Sequence, residues 1–241
     1  MRWVLLAAVA LSVSGGQLPP SPERVPVVVE LFTSEGCSSC PPADSLLSRL
    51  GNEQPVPGVQ IIPLGMHVTY WDQLGWKDAA SLKAATERQQ AYGRIFGEDR
   101  VYTPQAVIDG GEELVGSDEN GVKRALAAAG KRPHLRVQLT ASLKADGIYA
   151  TATVDNVPME GSASLREVFI VTEDGLSSVV KRGENGGRTL RHDAVVRRIV
   201  LGKQGLGTVP PEWRRDRLRV TVIVQDEKTR RIHGAATTPL K

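Results

Sequence analysis

The first half of the chain alternates apolar runs with helix-spaced stretches. Val25-Pro26-Val27-Val28-Val29-Glu30-Leu31-Phe32 and Val59–Met66 read as strands buried on both faces. Between them, Pro42 to Leu50 sets Ala43, Leu46, Leu47 and Leu50 at helical spacing and ends at Gly51. The spacing predicts a second helix over 81–96, capped by Ser81, with Leu82, Ala85, Gln89, Tyr92 and Phe96 along one side. Ala106 to Gly111 predicts a strand into a tight turn, Glu112 to Val115 its return, and Asn120 to Ala129 a third helix closed by Gly130. Past Lys131-Arg132-Pro133 the period drops to two: Leu135–Thr140, Ile148–Val154, Glu167–Val171 and Leu218–Val224 are short strands separated by turn residues. The pattern predicts an α/β unit over residues 25–131 followed by an antiparallel all-β, sandwich-like domain over 134–241.

The ends and the bulk numbers narrow the setting. Residues 1–16 place one positive charge before a short apolar stretch and then small residues, which is the layout of a secretory signal; the apolar part is well short of the roughly 20 residues that span a bilayer. Residues 17–24, rich in proline and polar side chains, read as a linker. An exported protein, periplasmic or secreted, with no transmembrane segment after signal cleavage, is the expectation. Hydrophobic residues make up 41% and charged residues 24%, which suits a packed globular chain. A net charge of +3 over 241 residues is too small to point to nucleic acid.

The chemistry concentrates in one segment. Cys37 and Cys40 are the only two cysteines, and they sit in Glu35-Gly36-Cys37-Ser38-Ser39-Cys40-Pro41-Pro42, directly after the first strand. Two intervening residues allow a small disulfide ring or one soft metal ion. A ring this short gains little from loop closure, which argues for chemistry over stabilisation. Redox exchange, metal binding and an inert disulfide all remain open. His67 keeps the metal reading alive: it follows the Val59–Met66 strand, and with parallel strands it reaches the same sheet edge as the cysteines, a donor set suited to Cu(I). Tyr70, Trp71 and Trp76 crowd the loop that follows and are candidates for a substrate groove, with Asp72 and Asp78 as possible proton acceptors. Arg188, Arg191, His192, Arg197 and Arg198, continued by Arg214, Arg215, Arg217, Lys228, Arg230 and Arg231, read as solvated edges and loops in preference to a docking site for an anionic partner, and Gly183–Gly187 as a turn.

A buried strand, Cys-x-x-Cys and a helix, with Val101-Tyr102-Thr103-Pro104-Gln105 before the third strand, resembles thioredoxin-like proteins. Residues 29–44, His67-Val68-Thr69-Tyr70-Trp71-Asp72, Gly75-Trp76-Lys77-Asp78, Arg88-Gln89-Gln90-Ala91-Tyr92 and 183–190 together resemble a bacterial family of exported thioredoxin-like proteins of unknown function. The resemblance implies a thioredoxin-like α/β domain ahead of the β domain, Cys37 as exposed nucleophile, Cys40 as resolving thiol, and a cis Thr103–Pro104 bond lining the substrate groove with Tyr70 and Trp71. It further implies thiol–disulfide exchange with protein thiols or disulfides and an unidentified redox partner, without a cofactor. The alternative is a copper(I)-binding or partner-binding module built on Cys37, Cys40 and His67.

Overall fold

The computed structural model describes residues 24–97, 101–155, 157, 164–202 and 205–240; the expected signal over 1–16 and most of the linker lie outside these. The elements run β1 (Val25–Thr33), α1 (Pro41–Glu53), β2 (Val59–His67), α2 (Lys83–Phe96), β3 (Gln105–Ile108), β4 (Glu112–Val115), α3 (Glu119–Ala129), β5 (Arg136–Lys144), β6 (Gly147–Asp155), β7 (Leu165–Glu173), β8 (Leu176–Val179), β9 (Thr189–His192), β10 (Val195–Leu201), β11 (Gly205–Gly207), β12 (Leu218–Asp226) and β13 (Ile232–Pro239). Among the described residues no helix is long and apolar enough to cross a membrane.

The expected thioredoxin-like α/β domain followed by a separate β sandwich is not what forms. One mixed eight-stranded sheet, in the order β13-β12-β7-β10-β2-β1-β3-β4, takes strands from both halves of the chain. β1 and β2 pair in parallel from Val25↔Val59 to Thr33↔His67, while β3 runs antiparallel to β1. The second half joins through β10, whose Val195 pairs with Gly65 of β2, and through Gly65 N–H, which donates to Ala194 O at 2.8 Å. Alternation and apolar runs mark which residues are strands; they carry no label for a partner 130 residues away, so this seam was not legible.

Packing follows from the strand faces. α1 and α3 cover one face over Val27, Val29, Leu31, Ile61 and Ile108. α2 covers the other with Ala85 and Tyr92 against Val28, Phe32, Ile62 and Ile223. The small sheet β11-β6-β5 packs Ile148, Ala150 and Leu206 on Phe169, Val171, Val220 and Val222 of β7 and β12. The large sheet curls until β13 returns against β1, where Ala235 and Val28 share one apolar cluster. Asp109, in the turn after β3, ties this closure: its backbone carbonyl accepts Ile232 N–H, and its carboxylate accepts Val28 N–H at 2.8 Å and lies 2.9 Å from His134 Nε2. The next residue, Gly110, has φ +62°, and a Cβ there would stand 1.9 Å from Arg230 O, so only glycine lets this turn meet the β12–β13 hairpin.

One charge interrupts the buried β1 run. Glu30, fully buried, receives Arg88 of α2 and the Tyr92 hydroxyl, and Arg88 Nη1 also donates to Gln225 Oε1 of β12 at 2.9 Å. Arg88, Gln89 and Tyr92 thus tie α2 to the sheet; Gln89 donates to Tyr102 O and Gln105 Oε1. Removing one partner of a buried pair strands the other charge. Arg88→Met is expected to cost about 3–5 kcal/mol, and Glu30→Leu with Arg88→Met to recover much of it. Urea unfolding of the single and double variants checks this.

Candidate functional site

The site forms where β1 and β2 end. β1 delivers Thr33, Ser34 and Glu35 to the turn, whose Cys37 N–H donates to Ser34 O at 3.2 Å. α1 then begins at Pro41, with prolines filling its first positions, where no backbone donor is needed, and Cys40 as N-cap. Cys40 O accepts the N–H groups of Ala43 and Asp44. Cys37 and Cys40 are joined in a disulfide with Cα atoms 5.4 Å apart.

Cys37 was expected to be exposed. It is 1% exposed and Cys40 wholly buried, while Ser38 and Ser39 face solvent. The cover is the β8–β9 hairpin, whose loop carries Gly183 to Gly187. Asn185, itself fully buried, donates from Nδ2 to the carbonyls of Glu35 and Cys37, both at 2.9 Å, and Glu184 Oε2 accepts Ser38 N–H at 2.9 Å. Arg188 Nη1 donates to Asn185 Oδ1 at 3.0 Å. The hairpin tip nests against the tryptophan loop: a Cβ on Gly183 would lie 3.3 Å from Trp76 Cβ. Read as a turn in the sequence, this segment is the lid of the site; the signal that could have found it is the polar Glu-Asn pair between glycines.

Trp71 links the cysteine turn to the third strand. Its Cβ lies 3.3 Å from where a Cβ on Gly36 would sit, and its Nε1–H donates to Thr103 Oγ1 at 2.8 Å. The Thr103–Pro104 bond is cis, and Pro104 is buried near Gly116 and Ala43. Tyr70 stands beside Thr103 too: its hydroxyl donates to Gln89 Oε1 at 3.2 Å, and burial, partly offset by hydrogen bonding to Gln89 and Thr103, pushes its pKa up to about 12. Trp76 Nε1–H donates to Glu35 Oε2 at 2.7 Å.

Beneath the disulfide lies a buried cluster that sequence spacing did not show. His67 Nδ1 is 2.6 Å from Asp78 Oδ2, which also accepts Glu35 N–H at 2.9 Å. The rings of His67 and His192 meet edge to face, 4.8 Å apart. His192, the last residue of β9, is buried and not on the solvated edge expected of it, because β9 packs over α1; it stands 3.6 Å from Glu35 Oε1 and 3.7 Å from Asp44 Oδ2, too far for hydrogen bonds. Both His192 nitrogens therefore face carboxylates at ion-pair distance without a hydrogen bond among the described residues. Asp72, the other acid singled out, accepts Ser81 Oγ–H at 2.7 Å and Asp78 N–H, which keeps Ser81 from capping α2. The set Cys37, Cys40 and His67 is not assembled as a metal centre: the sulfurs are bonded to each other, His67 turns to Asp78, and among the described residues no three His, Cys, Asp or Glu side chains are arranged to hold a metal ion.

The comparisons can now be set beside this geometry. The sequence profile of a protein family of unknown function, DUF1223, matches residues 28–230. The chain belongs to the DUF1223 family. A comparison with curated proteins finds no match. Among solved structures, this DUF1223 protein is similar to AGR_C_4864 of Agrobacterium tumefaciens, solved by X-ray crystallography, at 26% identity over 90% of this chain and 95% of that one, with a TM-score of 0.65. It is also similar to HBP35 of Porphyromonas gingivalis at 16% identity, over 90% of this chain and 76% of that one, with a TM-score of 0.61, a likeness of fold alone.

The cluster makes stability of this DUF1223 protein depend on pH in two directions. Burial opposes charge on both His67 and Asp78. Their pairing outweighs it, raising the histidine and lowering the carboxyl to about 2. A histidine raised on folding stabilises below its unfolded pKa, and that gain fades as pH climbs through the folded value; a lowered carboxyl stabilises above its unfolded pKa and fades as pH falls toward about 2. Asp44 works the other way, since burial raises its carboxyl and its ionisation costs stability as pH rises. Asp78→Asn is therefore expected to reduce stability most between about pH 4 and 6, with the difference from wild type narrowing below pH 4 and on the alkaline side. Thermal melts across pH 3 to 9 read the change.

Proposed function

We propose that this protein is an exported thiol–disulfide oxidoreductase acting on protein thiols or disulfides through Cys37 and Cys40. The observation that carries the reading is a four-residue disulfide ring, built from the chain's only cysteines, at a helix N-terminus beneath a hairpin tip held by side-chain hydrogen bonds. Closing so short a loop stabilises little, so the bond is better explained by exchange. Local likeness to thioredoxin-like sites, confined to the Cys-x-x-Cys turn and Thr103–Pro104, supports the same chemistry without extending to the fold.

In the oxidised form a substrate thiolate attacks Cys37 Sγ, and the Cys37–Cys40 bond breaks with Cys40 leaving as thiolate. A second substrate thiolate then attacks the substrate sulfur and expels Cys37. The substrate leaves as a disulfide, and the protein keeps two electrons as a reduced pair. The helix start favours thiolate at Cys40, the N-cap. Trp71 and Thr103 border the turn and contact the incoming chain. Because Cys37 is 1% exposed, the hairpin tip lifts before a protein substrate reaches it.

Two measurements test this. A reduced Cys40→Ser variant is expected to attack disulfide-bonded exported proteins through Cys37, releasing one substrate thiolate and staying joined to the other sulfur as a trapped mixed disulfide, and the same variant carrying Cys37 as a mixed disulfide with glutathione is expected to pass to reduced exported proteins with release of glutathione; Cys37→Ser does neither, and a Cys40→Ser variant that forms no protein adduct in either experiment refutes the reading. Asn185→Ala, which frees the tip from the Glu35 and Cys37 carbonyls, is expected to speed reduction of the disulfide by dithiothreitol several-fold, as read by alkylation and mass. An unchanged rate shows that the hairpin does not control access.

A further inference from the structure

At the far end of β1, roughly 25 Å from the cysteines by the rise of a strand, lies a cavity of about 880 Å³ that the proposed redox chemistry does not use. β2 and β10 share one bridging pair, Gly65 and Val195, and β10 begins there, so the β2 residues before Gly65 have no strand partner on that side and the cavity lies beside them. With β13 curled back against β1, residues of β1, β2, β7, β12 and β13, together with Ala194 just before β10, surround the opening, as in the mouth of a barrel, while α2 covers the apolar interior behind it.

This opening does not await another strand. Ile61, on the free side of β2, already has its N–H donated to Gln54 Oε1 at 2.7 Å and its carbonyl accepting from Gln54 Nε2 at 2.9 Å, so one side-chain amide imitates a neighbouring strand. Two residues on, Pro63 has no N–H to offer. The space suits a small ligand better than an added peptide strand.

Its walls say which kind. Arg219 of β12 lines the cavity, half-buried, facing Thr172 across the β7–β12 ladder. Its guanidinium makes no ion pair or hydrogen bond with the described residues. Thr221, two residues on and so on the same sheet face, bonds Thr237 through their hydroxyls at 2.9 Å, and both Thr172 and Thr221 are 2% exposed. The two acids at the opening are already held: Asp174 accepts Ala194 N–H and Asp193 accepts Gly175 N–H, each at 2.8 Å. Ile62 and Ala235 supply apolar wall beside these polar groups. A guanidinium with open donors next to hydroxyls, inside a half-apolar cavity of ligand size, is complementary to a carboxylate on an apolar body.

We infer that this cavity is a binding site for an organic monoanion, a carboxylate with an apolar body, whose headgroup pairs with Arg219. Calorimetry of the oxidised wild-type protein with dodecanoate, below its micellar range, is the test. One-to-one binding is expected, at least tenfold weaker for dodecanol and at least tenfold weaker for dodecanoate with Arg219→Leu. That variant breaks no hydrogen bond and is expected to melt like wild type. Thr221→Trp, which fills the cavity, is expected to remove binding of both probes. Absence of saturable dodecanoate binding overturns the inference; so does equal binding of dodecanol, or equal binding of dodecanoate by a folded Arg219→Leu variant.

Discussion

The structure turns on a seam one residue pair long, where Gly65 of β2 meets Val195 of β10 and Gly65 N–H donates to Ala194 O. The seam makes one sheet of the two halves. The strands meet closely there: a Cβ at Gly65 would reach van der Waals contact with Ala194 O at 3.4 Å and Asp193 O at 3.5 Å. Ala194 takes φ +53° there, a left-handed turn unusual for alanine, held by its N–H to Asp174. On one side of the seam the chain leads back through His192 into the β8–β9 hairpin and the cysteines. Toward the start of β2 no strand takes up the pairing that β10 leaves, and the cavity opens there.

Both ends of the molecule thus follow from the same constraint. The hairpin is anchored at its base by β9 over α1 and at its tip by Asn185 and Glu184 on the cysteine turn, so the second half of the chain covers a disulfide built by the first. Its base inserts His192 between Glu35 and Asp44 at ion-pair distance without hydrogen-bonding either, leaving both ring nitrogens without a hydrogen bond in one buried cluster. Buried polar atoms that miss a hydrogen bond cost free energy, so this cluster is held in place by the packing of β9 on α1 and does not itself add to the fold's stability.

Much of this was legible locally and little of it globally. Apolar runs and helix spacing identified β1, β2 and the three helices within a few residues, because each buries a face that its own period dictates. The cysteine turn stood out for the same reason, two thiols at a strand end. What stayed hidden depends on contacts between distant segments. The seam at Gly65, the lid made by Asn185 and the insertion of His192 each join residues more than 120 positions apart, and nothing in the pattern of either segment names the other. Glu30 is the intermediate case: a charge inside an apolar run signals a buried partner, but only the fold identifies it as Arg88.

The most direct measurement of the central claim is the equilibrium of the Cys37–Cys40 disulfide with glutathione redox buffers, read by thiol alkylation and mass. An exchange-active pair is predicted to titrate above about −300 mV, within the range that oxidoreductases span. A pair that stays oxidised below that potential, with Asn185→Ala as resistant as wild type, is a structural disulfide and contradicts the account.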